Sequence, residues 1–520
     1  MGYAIIGSFE GESRVKTVQG IDLTFALFFD GTGNNKHNTD ERLKGSTVYN
    51  KNTDHKNSSY ENDYSNVARL WKCYNANNYN FRQYVEGIGT VNFNEDEDTS
   101  TATGSGEAGI ADKVRMGCKQ IADQLKILLI SQSTKNVNTL TVDVFGFSRG
   151  SAAARHFIYE IKRTAYKATI HTNTNGGGYG YSTSTTYNTY TDDMGNDTAF
   201  VEFPQGGYLA AYCKNYNIQI NNIIIRFVGL FDCVVSYNHR LFVPDNGDDT
   251  TEEYKTNPKK LGLNYISLAK KVVHYNAMDE HRGSFPLTTI DSAGAKGVTI
   301  PFPGVHSDVG GCYNNNMVES KVLIFRSYSK QIAEDQVKML IAENWFHEDQ
   351  IIIIEKKQEH FSIYNILAGN RTILNTYSFV PLHLMCMQAL EFTQLDTPSN
   401  AIHFNQTIVE TQYSIANDAL LMAIKNRIIQ QIYHGAPPLG FQYYKDILDK
   451  YHIKMNTPSV DRPKGCQKEI EDQEALRKLR NKYLHWNANY QPIYIAHVTA
   501  IHPMFPRLEK GDRKRFIIPG

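Results

Sequence analysis

The sequence contains no C-x-x-C pair, and its seven cysteines (Cys73, Cys118, Cys213, Cys233, Cys312, Cys386 and Cys466) are an odd number scattered along the chain. That pattern lacks the ligand spacing of a structural zinc site and argues against a disulfide framework. Folding in a reducing cytoplasm is therefore expected. Excess charge is also missing: 54 Lys plus Arg balance 54 Asp plus Glu, with no basic tail and no long run of one sign. Without a basic surplus there is no electrostatic reason to expect nucleic acid as a partner. Long apolar runs are absent too, since 121–130 and 351–354 are interrupted or too short to span a bilayer. The first twenty residues lack the basic and apolar regions of a signal peptide, and Ile6 stands where a myristoylation motif requires Ser or Thr. A soluble protein made in the cytoplasm without an export signal is expected. No repeat of fixed period occurs.

What is present is a chain of 520 residues, 41% of them hydrophobic, enough for one large domain with insertions or for two domains. Strand-like and helix-like segments alternate in its first half. Leu23–Phe29 is a compact apolar run halted by Asp30-Gly31-Thr32-Gly33-Asn34-Asn35. Helical spacing follows at 63–74 and 110–130. Leu140–Phe147 reads as a strand entering a helix near Arg149, and Ile223–Phe231 as a parallel strand covered on both faces. Helical patterning resumes at 268–278. This rhythm predicts an α/β fold with a mostly parallel central sheet flanked by helices. Two segments break it. Residues 171–197 are a polar tract expected to be a mobile insertion. In 318–377, a long helix over 318–345 is expected ahead of an irregular piece. The tail from about Pro398 carries helical stretches at 414–432 and 466–485, then strand-like alternation over 490–500.

The chemistry centres on Gly146-Phe147-Ser148-Arg149-Gly150, a G-x-S-x-G. A strand (142–145) enters it and an alanine-rich helix leaves it. A nucleophile elbow needs both, because its serine sits in strained backbone at the tip of a sharp turn. Gly146 and Gly150 would let strand and helix approach closely. The plainer alternative is a strand–turn–helix with a capping serine. A serine hydroxyl needs an imidazole to take its proton and a carboxylate to orient that imidazole. In this fold they follow in the order Ser, acid, His. Asp232, ending the apolar run Phe227–Phe231, fits the acid; the alternative is a helix cap or turn residue. His306, in the glycine-rich loop Pro303–Gly311 after a strand at 298–302, fits the base. His274, His281, His497 and His502 are its rivals among 17 histidines.

The oxyanion of acyl transfer needs preorganised N–H donors. Arg149, directly after the serine, is expected to supply one from its backbone. The turn Gly31-Thr32-Gly33 is the candidate for the other. It lacks the Gly-Lys-Ser/Thr ending of a phosphate loop, and a plain turn is the remaining alternative. Asp30, Asp232 and Asp308 form no calcium-type loop, so no metal and no cofactor is expected. Asp308 is expected to fix the histidine loop by accepting backbone hydrogen bonds.

Four blocks together resemble the first family of type VI secretion lipase effectors: FFDGTGNN from Phe28, GFSRGSAAARHF from Gly146, FVGLFD ending at Asp232, and PGVHSDVGGCY from Pro303. Asp279-Glu280-His281-Arg282 after His274-Tyr275-Asn276-Ala277 is similar to the family's His-Ala-x-x-x-Asp-Glu-x-Arg stretch, with Tyr275 in place of its Ala. Pro381–Met385 is similar to the segment after its histidine loop. These blocks span 23–395 in the family's order. The resemblance implies an α/β-hydrolase with a Ser148–Asp232–His306 triad, cleaving phospholipid esters as a phospholipase A1 or A2. It also implies an antibacterial effector delivered to the periplasm of a competitor.

The expected organisation is a catalytic domain over 1–395, with insertions at about 171–197 and 318–377, and a mainly helical accessory region over 396–520. The expected partners are the phospholipid membrane surface, a secretion-spike protein and an immunity protein. Two other readings stay open at this point. One is a hydrolase of the same fold acting on a soluble ester. The other is an interaction protein whose hydrolase core docks on a spike or an immunity partner. Ile415, Leu420, Leu421, Ile424 and Ile428 form an apolar helix face that either packs on the core or rims a lipid cleft.

Overall fold

The computed structural model describes residues 20–51, 58–97, 108–131, 136–175, 185–235, 258–283, 285–327, 329–357, 363–393, 402, 404–488, 493–495, 498–500, 515 and 517–520. Its centre is a six-stranded sheet: β1 (Ile21–Phe29), β2 (Asn80–Val85), β3 (Asn136–Phe147), β4 (Gln219–Phe231), β5 (Lys271–Ala277) and β6 (Gly297–Phe302). The order across the sheet is β6-β5-β4-β3-β1-β2, and every neighbouring pair is parallel.

Phe25–Phe29 of β1 and Phe227–Phe231 of β4 read as unbroken apolar runs because both faces of the sheet are covered there. Alternation survives in where the side chains go. Phe25, Leu27 and Phe29 pack with Val142, Val144, Val228 and Leu230 against the helices Ile110–Ser131 and Arg149–Lys162. Ala26 and Phe28 pack with Phe145, Phe227 and Tyr275 on the opposite face. That second core is closed by the helices Asn66–Cys73 and Phe379–Thr393, joined by Leu421, Ile424 and Ile428 of Ala419–His434 and by Leu476 and Leu479 of Lys464–Lys482. The apolar face that starts at Ile415 is thus core rather than cleft rim. Residues on both sides of position 396 share this core.

Three expectations are corrected. Residues 271–277 are a strand, not part of a helix. Val272, Val273, His274 and Tyr275 are all buried between two layers, so neither helical nor strand period is visible there. The helix expected over 318–345 begins only at Lys330; Met317–Ser327 is a strand. It pairs antiparallel with Ile363–Ile373, which also pairs with Ile351–Lys357, so the stretch expected to be irregular holds two strands of a three-stranded sheet. Glu319 on the first strand is buried against Arg371 on the central one, at 2.8 Å, which conceals the apolar face. The polar insertion forms a ribbon: Thr169–Asn175 pairs antiparallel with Thr185–Thr191. Side-chain bonds such as Asn173 to Thr189 at 3.0 Å take the place of a core there.

Ile493–Ile495 and Val498–Ala500 form a small antiparallel pair, while His497 and His502 lie outside the described residues. Leu287–Thr288 pairs in parallel with Ile517–Ile518, which brings residue 515 to the centre of the molecule. Among the described residues no helix is long and apolar enough to cross a membrane.

Candidate active site

Parallel register decides which side chains meet. Phe29 pairs with Gly146, Phe147 with Phe231, and Phe231 with Tyr275, so β1, β3, β4 and β5 end at one edge. Strand order reverses between β1 and β3, and in open α/β sheets such a switch point is where ligands bind, at the carboxyl ends of the strands. Asp30, Ser148 and Asp232 each follow the last residue of such a strand, and the loop that carries His306 leaves β6 at the same edge.

Ser148 has φ 58° and ψ −130°, a conformation that ordinary residues rarely hold. Its backbone N–H donates to Phe231 at 3.0 Å, and its carbonyl accepts from Ser151 at 3.0 Å. Although it stands at the start of the helix Arg149–Lys162, its side chain makes no capping bond, so a capping serine does not describe it. The flanking glycines are required by contact. A Cβ on Gly146 would lie 2.6 Å from the carbonyl oxygen of Gly150, and one on Gly150 would lie 2.2 Å from that of Asp30.

Asp232 is fully buried and also holds a positive φ, 45°. Its Oδ2 lies 2.5 Å from Nδ1 of His306, and its Oδ1 accepts the Ala277 N–H at 2.9 Å. His306 does not sit in an open loop: it begins the short helix His306–Gly310. Its ring packs against Phe147 and Phe285, with centroids at 4.6 and 5.0 Å. Nε2 of His306 is buried and has no hydrogen-bond partner among the described residues, so the bond expected to Ser148 Oγ is not made in this conformation. Burial pushes the His306 imidazole below its ordinary value, against the pull of Asp232. Burial alone would raise the Asp232 carboxyl, but the Arg515 guanidinium and His306 hold it well below the usual carboxylate range.

Arg515 is the residue that sequence reasoning missed. Its Nη1 and Nη2 donate to the two oxygens of Asp232 at 2.6 and 2.9 Å. No motif surrounds it, and no local pattern could have found it.

The Asp-Glu-x-Arg block becomes intelligible here. Asp279 accepts the Gly304 N–H at 2.7 Å, and Glu280 accepts the His306 N–H at 3.2 Å. Arg282 in turn holds Glu280 at 2.9 Å. Asp308 accepts the backbone N–H groups of Val305 and His485 at 2.9 and 3.0 Å, and its other oxygen faces Nδ1 of His485 at 2.7 Å. It therefore partners His485, not His306. Gly304 stands at φ 102°, where a side chain would be strained and would meet Asp308.

The rival histidines have other partners. His274 Nε2 accepts the Cys233 N–H at 3.1 Å, and burial lowers its imidazole to about 3, so it is neutral. His281 packs on Trp486, with Nδ1 at 2.9 Å from the Asp279 carbonyl. Tyr275, the departure from the family block, is buried against Phe302 at 4.6 Å.

The expected oxyanion segment needs one correction. The Gly31 N–H donates to Oδ1 of Asp30 at 2.7 Å and is already engaged. Ser65 and Tyr84 also donate to this buried carboxyl, and burial keeps it above its ordinary value. The Thr32 N–H has no hydrogen bond among the described residues, and its hydroxyl accepts from Nε of Arg149 at 2.8 Å.

A parallel sheet with a serine elbow and a later Asp–His pair at its carboxyl edge is the architecture of an α/β-hydrolase. Residues 24–333, more than half of the chain, match the family described as "T6SS, Phospholipase effector Tle1-like, catalytic domain", and the chain belongs to that family of type VI secretion lipase effectors. The fold is similar to that in "Structure of the Tle1 effector bound to the VgrG spike from the Type 6 secretion system", at a TM-score of 0.56 and 19% identity over 99% of this chain and 98% of that one. An uncharacterized protein from Pseudomonas aeruginosa is more loosely similar, at a TM-score of 0.39 and 17% identity over 88% of this chain and 60% of that one. No curated protein sequence matches the chain.

Proposed function

We propose that this effector is a phospholipase A: a serine esterase that cleaves fatty-acyl esters of phospholipids with Ser148 as nucleophile, His306 as base and Asp232 as its orienting acid. The observation that carries the reading is His306 itself. Its Nδ1 is fixed on Asp232 at 2.5 Å, and its buried Nε2 has no partner among the described residues at the edge where the strained Ser148 stands.

In this reading Nε2 takes the Ser148 proton as Oγ attacks the ester carbonyl. Asp232 keeps the imidazole in the tautomer that leaves Nε2 free to accept, and stabilises the imidazolium that forms. The backbone N–H groups of Arg149 and Thr32 are the candidate donors to the oxyanion, with Gly31 shaping the turn that presents Thr32. The imidazolium then protonates the departing lysolipid alkoxide, and water attacks the acyl-enzyme by the same relay.

Family membership supports the lipid substrate and delivery into the periplasm of a target cell. The spike-bound state of the structural neighbour supports a secretion-spike protein as delivery partner, and a toxic phospholipase calls for an immunity protein in the producer. A catalytic region over 1–395 and an accessory region over 396–520 remain the proposed division of labour. The test is incubation of purified protein with vesicles of defined phospholipid, followed by mass spectrometry. Free fatty acid and lysolipid in equal amounts, absent with Ser148→Ala, is the expected result. Hydrolysis of soluble esters alone would favour the soluble-substrate reading, and no hydrolysis of either would favour the interaction protein.

A further inference from the structure

Asp232 is held by more than His306. Its Oδ1 accepts from the Ala277 N–H and Arg515 Nη1, and its Oδ2 from His306 Nδ1 and Arg515 Nη2. The guanidinium is nearly fully buried, and its Nε donates at 2.7 Å to the carbonyl of Phe285, whose ring packs on His306. The segment that carries it is anchored. Ile517–Ile518 continues beside Leu287–Thr288, the Thr289 N–H donates to Ile518 at 2.9 Å, and the Ser292 N–H donates to Gly520 at 3.1 Å.

A hydrolase triad needs its aspartate to orient the histidine and to favour the imidazolium as it forms. A permanent cation bidentate on that aspartate changes both functions. A planar fork on two oxygens fixes the plane of the carboxylate, and a single hydrogen bond does not. Its charge also offsets the carboxylate in a site closed to water, where such effects are large.

The other ionisable groups that face the pair do not cancel this charge. Glu280 and Arg282 neutralise each other at 2.9 Å. His274 is neutral, and burial keeps the Cys233 thiol protonated. Arg155 adds a second positive charge, bonded to the carbonyls of Leu263 and Thr289.

Resting on the triad reading above, we propose that Arg515 is a positioning residue of the active site. Its fork fixes Asp232, and its charge weakens the hold of the Asp232–His306 pair on a proton, so that His306 stands as a free base at lower pH. An enzyme built this way stays active in mildly acidic surroundings where an unassisted pair would be protonated.

The sign follows from the charges. Removing the guanidinium leaves a bare carboxylate beside the imidazole, and the pair binds its proton more tightly. The acid limb of kcat/KM reports that proton in the free enzyme. The experiment measures kcat/KM against pH on a short-chain p-nitrophenyl ester for the wild type, Arg515→Lys and Arg515→Gln, with thermal unfolding as the check on folding. In Arg515→Gln the acid limb moves upward by roughly one pH unit. In Arg515→Lys, which keeps charge but loses the fork, it moves the same way by less than half as much, while the alkaline plateau falls. A merely structural Arg515 would lower the plateau and leave the limb in place, and that result overturns the proposal. If Arg515→Gln does not fold, Arg515→Met takes its place as the neutral variant, and an unmoved limb there is again fatal. Failure of the triad reading looks different, because Ser148→Ala would then hydrolyse the same ester as well as the wild type.

Discussion

Glu280 accepts the backbone N–H of His306 while its carboxylate is gripped by Arg282, so the position of the candidate base is set by a residue on the segment after β5. The pair Glu280–Arg282 is buried, and breaking such a pair leaves one charge without a partner. Glu280→Gln is expected to destabilise the fold by about 3 kcal/mol. Esterase turnover should fall at least about tenfold below the unfolding range, because the His306 loop loses an anchor. Urea unfolding and initial rates check both. A variant with wild-type turnover would show that the loop holds its place without Glu280.

Gly150 tests the close approach of the elbow helix to β1. An added Cβ would fall 2.2 Å from the Asp30 carbonyl oxygen and 2.4 Å from that of Phe29, both of them backbone atoms that cannot swing aside. Gly150→Ala should therefore lose about 3 kcal/mol of stability and most of its activity, because relief of the clash displaces Ser148. Wild-type melting and turnover would mean that the elbow is looser than these contacts imply.

His274 gives a prediction in pH. Its folded-state value, about 3, lies below the ordinary 6.5, so the neutral ring that accepts from Cys233 favours folding. That contribution is complete above pH 6.5 and is lost as the pH falls toward 3. At pH 5 it amounts to about 2 kcal/mol lost relative to neutral pH. His274→Gln retains an acceptor for the Cys233 N–H and does not titrate, so its stability should fall less steeply between pH 7 and pH 4. Chemical denaturation across that range measures the slope. Identical slopes would remove His274 from the account.

The sheet was legible in the sequence where the chain turns sharply. Asp30-Gly31, the elbow at Ser148 and the end of FVGLFD each mark a strand terminus, and the structure ends β1, β3 and β4 there. The strand 271–277 was not legible, because a segment buried on both faces shows no period. Residues 318–327 read as helix rather than strand because the buried Glu319–Arg371 pair places charge on an inward face. The Asp232–His306 contact followed from chain order, whereas Arg515 did not: it acts across a gap in sequence that no local rule spans. Gly31 was assigned as a donor from its type, but the bond between its N–H and Asp30 depends on a side-chain rotamer.

Asp232 and Asp308 are two buried aspartates with a histidine each, and substitution should separate them. Asp232→Asn leaves His306 in the wrong tautomer and the Arg515 guanidinium without its counter-charge, so turnover should fall on the order of a thousandfold or more, far beyond what its loss of stability explains. Asp308→Asn loosens the contact with His485 and the backbone of Val305, so its loss should appear chiefly in stability. Rates and melting temperatures of the two variants make the comparison. The reverse pattern would move the acid role to Asp308.

The central claim is that Ser148 is a nucleophile activated by His306, and active-site labelling reads it most directly. The purified protein is treated with a fluorophosphonate, digested, and mapped by mass spectrometry. The account predicts one stoichiometric adduct on the peptide containing Gly146-Phe147-Ser148-Arg149-Gly150. It should vanish in Ser148→Ala and form at least about a hundredfold more slowly in His306→Ala. An adduct on another serine, or unaltered labelling in His306→Ala, would contradict it.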